Sequence, residues 1–426
     1  MAGIKIIVVR LAIIIFGIIV GLLIIEIGLR FIPETRWKAL IGKSPTRYLL
    51  YKTDDDIGWV HLPNAHINFR GNGEYDVDVR INSLGLRDRE HTYEKPPDTF
   101  RILVLGDSFA EAIQVPVERA FPAQLERCLT ERVNQEFEVI NTGTSSYGPG
   151  DELLFFTHEG VKYDPDLVLV AVFVGNDVKN MGRAVDDSMI QSFGGYEFYL
   201  NEGRLQKRWI EWAEPNYEIS PLEHFLRRYS TLYYVFRAPD SRVRREINRR
   251  IDRWWFESIS SQPTAKTSNL PAYAYDKNLI IFARGFPDNP IVPQHMKELW
   301  ELFKAASLEL QARVKAHSAQ LAVVIIPVDA QVHETIYDKW VLKYVDEYGW
   351  LGTAWDIGAP NKAISHFLVE HDIPMLDLMP NFQAYDETHD DLLYFRDNPH
   401  LNETGHQLAA DLMCDWLIED ELVPLQ

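Results

Sequence analysis

Beyond residue 98 the chain alternates short apolar runs with longer amphipathic stretches, and no other feature constrains its fold as much. The runs are Arg101 to Leu105, Glu138 to Asn141, Leu167 to Val174, Leu321 to Ile326 and Met375 to Leu378, rich in Val, Ile and Leu and bounded by turn residues. Short runs of this kind read as buried strands. Between the first two, Phe121, Leu125, Cys128, Leu129 and Val133 recur at helical spacing, and before the fourth Met296, Leu299, Phe303, Leu310 and Val314 do the same. Strands separated by helices predict an α/β unit with a mainly parallel, doubly wound sheet in three layers, α/β/α, and ligands at the carboxyl ends of the strands.

The α/β unit covers 99–426 and is interrupted by a long insertion at about 182–294. That stretch holds Trp209, Trp212, Trp254 and Trp255, and Arg242 to Arg253 sets six arginines around Val243, Ile247, Ile251 and Trp254. The pattern is that of a basic amphipathic helix, packed on an acidic body or lying on a membrane surface. Residues 33–98 form a turn-rich prelude ending at Pro96-Pro97. Within it Tyr75, Val77, Val79 and Ile81 alternate with Asp76, Asp78 and Arg80, which predicts a small β element with one buried face.

Residues 1–32 are different. Leu11 to Ile25 carries no charge, and the apolar character resumes at Ile27. With Glu26 admitted near one end and Arg10 and Arg30 at the interfaces, the segment meets the roughly 20 apolar residues that a bilayer span needs. No small-x-small cleavage site follows it. An N-terminal transmembrane helix is therefore expected, with a buried hydrophobic helix as the alternative. Lys5 and Arg10 precede the span and five basic residues follow it by Arg47, so the charge rule does not favour an extracytoplasmic body.

Acidic residues outnumber basic ones, 62 to 43, for a net charge of −19, which excludes a phosphate-neutralising nucleic-acid binder. Cys128 and Cys414 are the only two cysteines, too few for a disulfide scaffold or a Cys-based zinc site. They fall on the first and last helices of the α/β unit. Buried free thiols are the expectation, with a bond between them left open. Asp54-Asp55-Asp56 and Asp390-Asp391 lack the spaced oxygens of a calcium loop and read as solvated turns.

Candidate chemistry gathers at strand ends. The first strand runs into Gly106-Asp107-Ser108-Phe109, where a serine at the strand–helix junction offers a hydroxyl and a backbone N–H at the rim of the sheet. The same tripeptide is also a good helix cap. The second strand ends in Asn141-Thr142-Gly143, where glycine lets the backbone approach a ligand. The third ends in Gly175-Asn176-Asp177, which brings an amide donor to the same edge. Near the C-terminus, Asp397-Asn398-Pro399-His400 supplies a histidine with a carboxylate three residues before it, as a serine nucleophile requires. His406 belongs to the helix that follows.

These four blocks, in this order, resemble the SGNH hydrolases, or GDSL-type esterases and lipases. The likeness extends over roughly residues 98–420 and poorly over the insertion. Val79 to Asp88 also resembles the prelude of membrane-anchored bacterial members, while Phe109 stands where the family has leucine. The resemblance implies a flavodoxin-like sheet and a membrane-anchored hydrolase of carboxylic esters in acylated lipids or saccharides, single-pass in the bacterial inner membrane with a periplasmic body. It implies Ser108 as nucleophile, His400 as base and Asp397 as its orienter, with an oxyanion hole made of Ser108, Gly143 and Asn176. No metal or organic cofactor is expected. An O-acyltransferase passing the acyl group to a saccharide, and a non-catalytic surface protein on the same fold, are the competing readings.

Overall fold

The computed structural model describes residues 10, 16, 17, 20–28, 49–71, 73–182, 193–210, 294–333, 357–396 and 398–424. The prelude folds into two antiparallel hairpins, β1 (Tyr51–Asp54) with β2 (Gly58–His61) and β3 (His66–Arg70) with β4 (Asp76–Arg80). In β4, Val77 and Val79 are buried while Asp76, Asp78 and Arg80 are exposed, the period-two pattern of a half-covered strand. Asp54 Oδ1 accepts from the N–H groups of Asp56 and Ile57 in the β1–β2 turn, so this acidic run closes a turn.

The five apolar runs become β5 (Thr99–Gly106), β6 (Glu136–Asn141), β7 (Leu167–Phe173), β10 (Gln320–Ile326) and β11 (Met375–Asp377). A separate hairpin, β8 (Gly195–Asn201) with β9 (Arg204–Ile210), begins the insertion. The sheet order is β6-β5-β7-β10-β11, and every pairing in it is parallel. All seven residues of β7 are buried, as a strand covered by helices on both faces requires. From β5 the chain steps one way to β6 and then back across to β7. That reversal opens a crevice at the carboxyl ends of β5 and β7.

Right-handed crossovers in opposite directions put their helices on opposite faces. In chain order the helices used below are α1 (Ser108–Glu111), α2 (Phe121–Arg132), α3 (Pro149–His158), α4 (Asp177–Asn180), α5 (Gln294–Ala316) and, near the end, α6 (Glu403–Glu419). Helix α2 lies in the β5–β6 crossover and packs on α6, and α3 lies in the β6–β7 crossover and packs on α5. Cys128 of α2 and Cys414 of α6, with Cα atoms 6.3 Å apart, form a disulfide where free thiols were expected. Adjacent helices bring the two side chains within bridging reach. The prelude shares the main core: Trp59, Ile67 and Val79 belong to the same buried cluster as Leu103 and Val170.

Among the described residues no helix is long and apolar enough to cross a membrane. Residues 20–28 are helical. The transmembrane helix expected over residues 1–32 is withdrawn, and with it the membrane as a partner and the single-pass inner-membrane location. Arg242 to Arg253, Trp212, Trp254 and Trp255 lie outside the described residues.

Candidate active site

Helix α1 begins where β5 ends. Asp107 caps it, with Oδ1 accepting from the Phe109 N–H at 2.8 Å. Beneath it, a Cβ added to Gly106 would sit 3.0 Å from Ala110 Cβ and 3.2 Å from Ala171 Cβ, so only glycine lets the turn pass without displacing its neighbours. The helix ends after one turn at Ala112, which takes a left-handed conformation (φ 54°) and donates its N–H to the Ser108 carbonyl. A non-glycine residue held there stores strain of about 1 kcal/mol, a cost that concentrates at functional sites.

Ser108 Oγ lies 2.8 Å from His400 Nε2. His400 comes from the loop before α6, which a backbone bond from the Phe395 N–H to the His400 carbonyl and the Asn402 cap on the Gly405 N–H hold in shape. Its ring stacks on Phe109 at a centroid distance of 4.8 Å, and Phe109 stacks in turn on Phe173. Phe109 thus gives the imidazole an aromatic wall. His400 Nδ1 faces Asn398 Oδ1 at 2.5 Å, and Asn398 Nδ2 donates to Tyr75 Oη at 2.9 Å. Asp397 lies outside the described residues, so no complete Ser-His-Asp triad is identified among them. His406 is buried, accepts from the Phe121 N–H, and has its pKa driven down to about 3 by burial, which removes it as a rival base.

The second block is wedged against α1. Asn141 donates its backbone N–H to Asp88 Oδ2 and its side-chain amide to the Ala110 carbonyl, both at 2.8 Å. A Cβ on Gly143 would fall 2.4 Å from the Glu111 nitrogen, so glycine is obligatory. The Gly143 N–H donates to Asn141 Oδ1 at 3.0 Å. An oxyanion would therefore have to share that donor or take it from Asn141. In the third block, Asn176 is 7% exposed, and its Nδ2 donates to Asp107 Oδ2 at 3.0 Å. That leaves the second amide hydrogen uncommitted by this bond.

Two further polar groups flank α1; Asp107 and Asp177 fall in the blocks already read from the sequence, while Tyr51, His61, Glu111 and Glu152 carried no sequence signal. At its far end Glu111 accepts from Tyr51 Oη and from His61 Nε2, the latter at 2.6 Å. Behind its start lie Asp107, Glu152 of α3 and Asp177 of α4, all fully buried. Burial pushes Asp107 up to about 7 and Glu152 up to about 8, the Asp107 charge adding to the second, and it raises Asp177 well above the usual range. A groove of about 940 Å³ lies elsewhere, between α3, α5 and the β8–β9 hairpin, and is lined by Leu154, Phe198, Lys304 and Leu308.

No family model matches the chain, and no curated protein matches it. Among solved structures it is similar to Axe2, an acetylxylan esterase from Geobacillus stearothermophilus, at 12% identity over 75% of this chain and 94% of that one, with a TM-score of 0.36. It is also similar to LAE5, an alpha/beta hydrolase enzyme from the metagenome of Lake Arreo, at 12% identity over 76% and 97%, with a TM-score of 0.35. Both are hydrolases, but likeness at this level carries no argument about chemistry. Membership of a membrane-anchored SGNH branch, and the membrane-anchored Ser-His-Asp hydrolase expected with it, are corrected accordingly: the matches are distant, no membrane-crossing helix occurs among the described residues, and no full triad is found there.

Proposed function

We propose that the chain is a serine-dependent hydrolase acting on ester bonds. One observation carries the reading: residues 292 apart in sequence, Ser108 and His400, meet through an Oγ–Nε2 hydrogen bond of 2.8 Å at the crevice where the sheet order reverses. A neutral imidazole nitrogen accepting a serine hydroxyl is the arrangement that makes that oxygen nucleophilic.

In this reading Ser108 Oγ attacks the ester carbonyl while its proton passes to His400 Nε2. The oxyanion faces the Ser108 N–H and Asn176 Nδ2, with the Gly143 N–H exchanging its bond to Asn141. His400 then protonates the leaving alkoxide, and a water activated by the same ring clears the acyl-enzyme. Asp397, three residues before His400, is assigned the electrostatic part, favouring the imidazolium as it forms. Labelling by a fluorophosphonate, checked by mass spectrometry at Ser108, tests the nucleophile. Hydrolysis of p-nitrophenyl acetate tests turnover. An unlabelled Ser108 in folded protein overturns the reading.

A further inference from the structure

Strand β6 is the outer strand of the five-stranded sheet, so alternate N–H groups along it face away from β5 and need partners from elsewhere. Two carboxylates supply them. Glu126 of α2 accepts from the Val139 N–H at 2.7 Å, and Asp88 of the prelude accepts from the Asn141 N–H at 2.8 Å. The two caps are alike in chemistry and differ in what lies beyond them. Val139 is a core residue. Asn141 faces the crevice: its Nδ2 donates to the Ala110 carbonyl at 2.8 Å, and its Oδ1 accepts from the Gly143 N–H at 3.0 Å. One side chain thus grips both the helix that carries Ser108 and the backbone N–H that the hydrolase reading assigns to the oxyanion.

Asp88 is itself fixed from two sides. Asn82 shapes the chain leading to it, with Oδ1 accepting from the Leu84 and Leu86 N–H groups and Nδ2 donating to the Arg89 carbonyl. On the other side His91 Nε2 lies 3.1 Å from Asp88 Oδ2, and His91 Nδ1 lies 2.7 Å from Glu138 Oε1. Arg101 Nε donates in turn to Glu138 Oε2 at 2.7 Å. The side chains of His91 and Arg101 are fully buried, and those of Asp88 and Glu138 are 8% and 9% exposed. Charges of both signs alternate along this row, so each carboxylate is held by a buried neighbour rather than by solvent. We infer that Asp88, held by His91, is a positioning residue for the oxyanion hole: it sets Asn141, and Asn141 sets the Gly143 N–H relative to Ser108. The prelude segment that ends in Asp88 thereby belongs to the scaffold of the reacting centre.

The inference rests on the ester-hydrolase reading, and Glu126 supplies the control, because it caps the same strand edge without reaching the crevice. In full-length protein, Asp88→Ala is expected to lower kcat for p-nitrophenyl acetate by about tenfold or more, since a misplacement of about 1 Å at the reacting centre can cost roughly a hundredfold. KM should stay within about twofold, as a loss confined to kcat marks an interaction made in the transition state. Glu126→Ala lowers the urea midpoint as Asp88→Ala does, and leaves kcat within about twofold of wild type. Asp88→Asn keeps an acceptor for the Asn141 N–H and restores kcat to within about threefold, the worth of one modest hydrogen bond. If Asp88→Ala does not fold, Asp88→Glu carries the test: it keeps a carboxylate for His91, moves the acceptor by one methylene and lowers kcat by a similar factor. Equal kcat in Asp88→Ala and Glu126→Ala, a loss in Asp88→Ala confined to KM, or a wild-type kcat in Asp88→Glu overturns the inference while Ser108 still labels with the fluorophosphonate. An unlabelled Ser108 in folded wild type overturns the hydrolase reading and the inference with it.

Discussion

Helix α1 is one turn long and has a histidine at each end, and the two are set in opposite surroundings. At its start the Ser108–His400 pair is only partly buried, and its two members are uncharged in the resting state proposed above. At its finish the Glu111–His61 pair is sealed, with side chains 0% and 2% exposed, and Tyr51 donates to the same carboxylate. A nucleophile has to be reachable, and its base has to be free to take a proton. A strut needs neither and gains from burial only when its charges are paired. One helical turn thus separates the pair proposed to react from a pair that is sealed and held by a third side chain.

The largest effect should fall on the first pair. Ser108→Ala is expected to lower turnover by about 10⁴-fold or more, since members of a nucleophile–base unit act together. It should leave stability nearly unchanged, because the bond lost is partly exposed. Turnover of p-nitrophenyl acetate and a urea titration on the same preparation measure both. If Ser108→Ala unfolds the protein, the two ends of α1 are alike after all.

The second pair should behave in reverse. Glu111→Ala breaks a buried pair and is expected to cost about 3 kcal/mol in urea unfolding, with activity falling as α1 loses its anchor. Burial alone would raise the Glu111 carboxyl, but the His61 hydrogen bond and charge, with the Tyr51 bond, hold it below its ordinary 4.5. A depressed acid stabilises the fold above its unfolded pKa and loses that contribution as pH falls through the folded value. The stability gap between wild type and Glu111→Ala should therefore be full at neutral pH and close below about pH 4. A gap independent of pH would show that Glu111 is held by packing alone.

The same contrast explains what could be read from the sequence. The five strands and the four blocks are local patterns: those at Ser108, Gly143 and Asn176 are strand ends followed by a turn, and that at His400 is a loop leading into the last helix. The bond between Ser108 and His400 forms where the loop before α6 meets the end of β5. Tyr75, Asn398, His61 and Glu111 carry no such pattern. Tyr75 reads only as one more apolar position in an alternating strand, and its hydroxyl finds Asn398 across 323 residues. His61 and Glu111 are 50 apart, and nothing in their neighbourhoods marks either as paired. The Cys128–Cys414 bond was missed for the same reason: the sequence placed the two on the first and last helices of the α/β unit, but only the packing of α2 on α6 sets their distance. The N-terminal run erred in the other direction: its apolar composition predicted a span, and among the described residues no helix is long and apolar enough to cross a membrane.

A buried glutamate without a partner sharpens the comparison further, at smaller cost. Glu152 is as deeply buried as Glu111, yet neither of its carboxyl oxygens has a hydrogen-bond partner among the described residues, and burial beside Asp107 lifts it to about 8. A raised acid has the opposite linkage. Below its ordinary 4.5 both folded and unfolded chains hold the proton, and between there and about 8 only the folded chain does, so stability drains away as pH rises across that window. Glu152→Gln keeps the shape and removes the titration. It should match wild type near pH 4 and exceed it by roughly 1–2 kcal/mol near pH 8, well short of the full linkage because burying an amide also costs energy. Thermal unfolding at the two pH values measures it. The two glutamates should then show pH slopes of opposite sign, set by whether a partner waits for the charge. Equal slopes would mean that burial depth alone governs both.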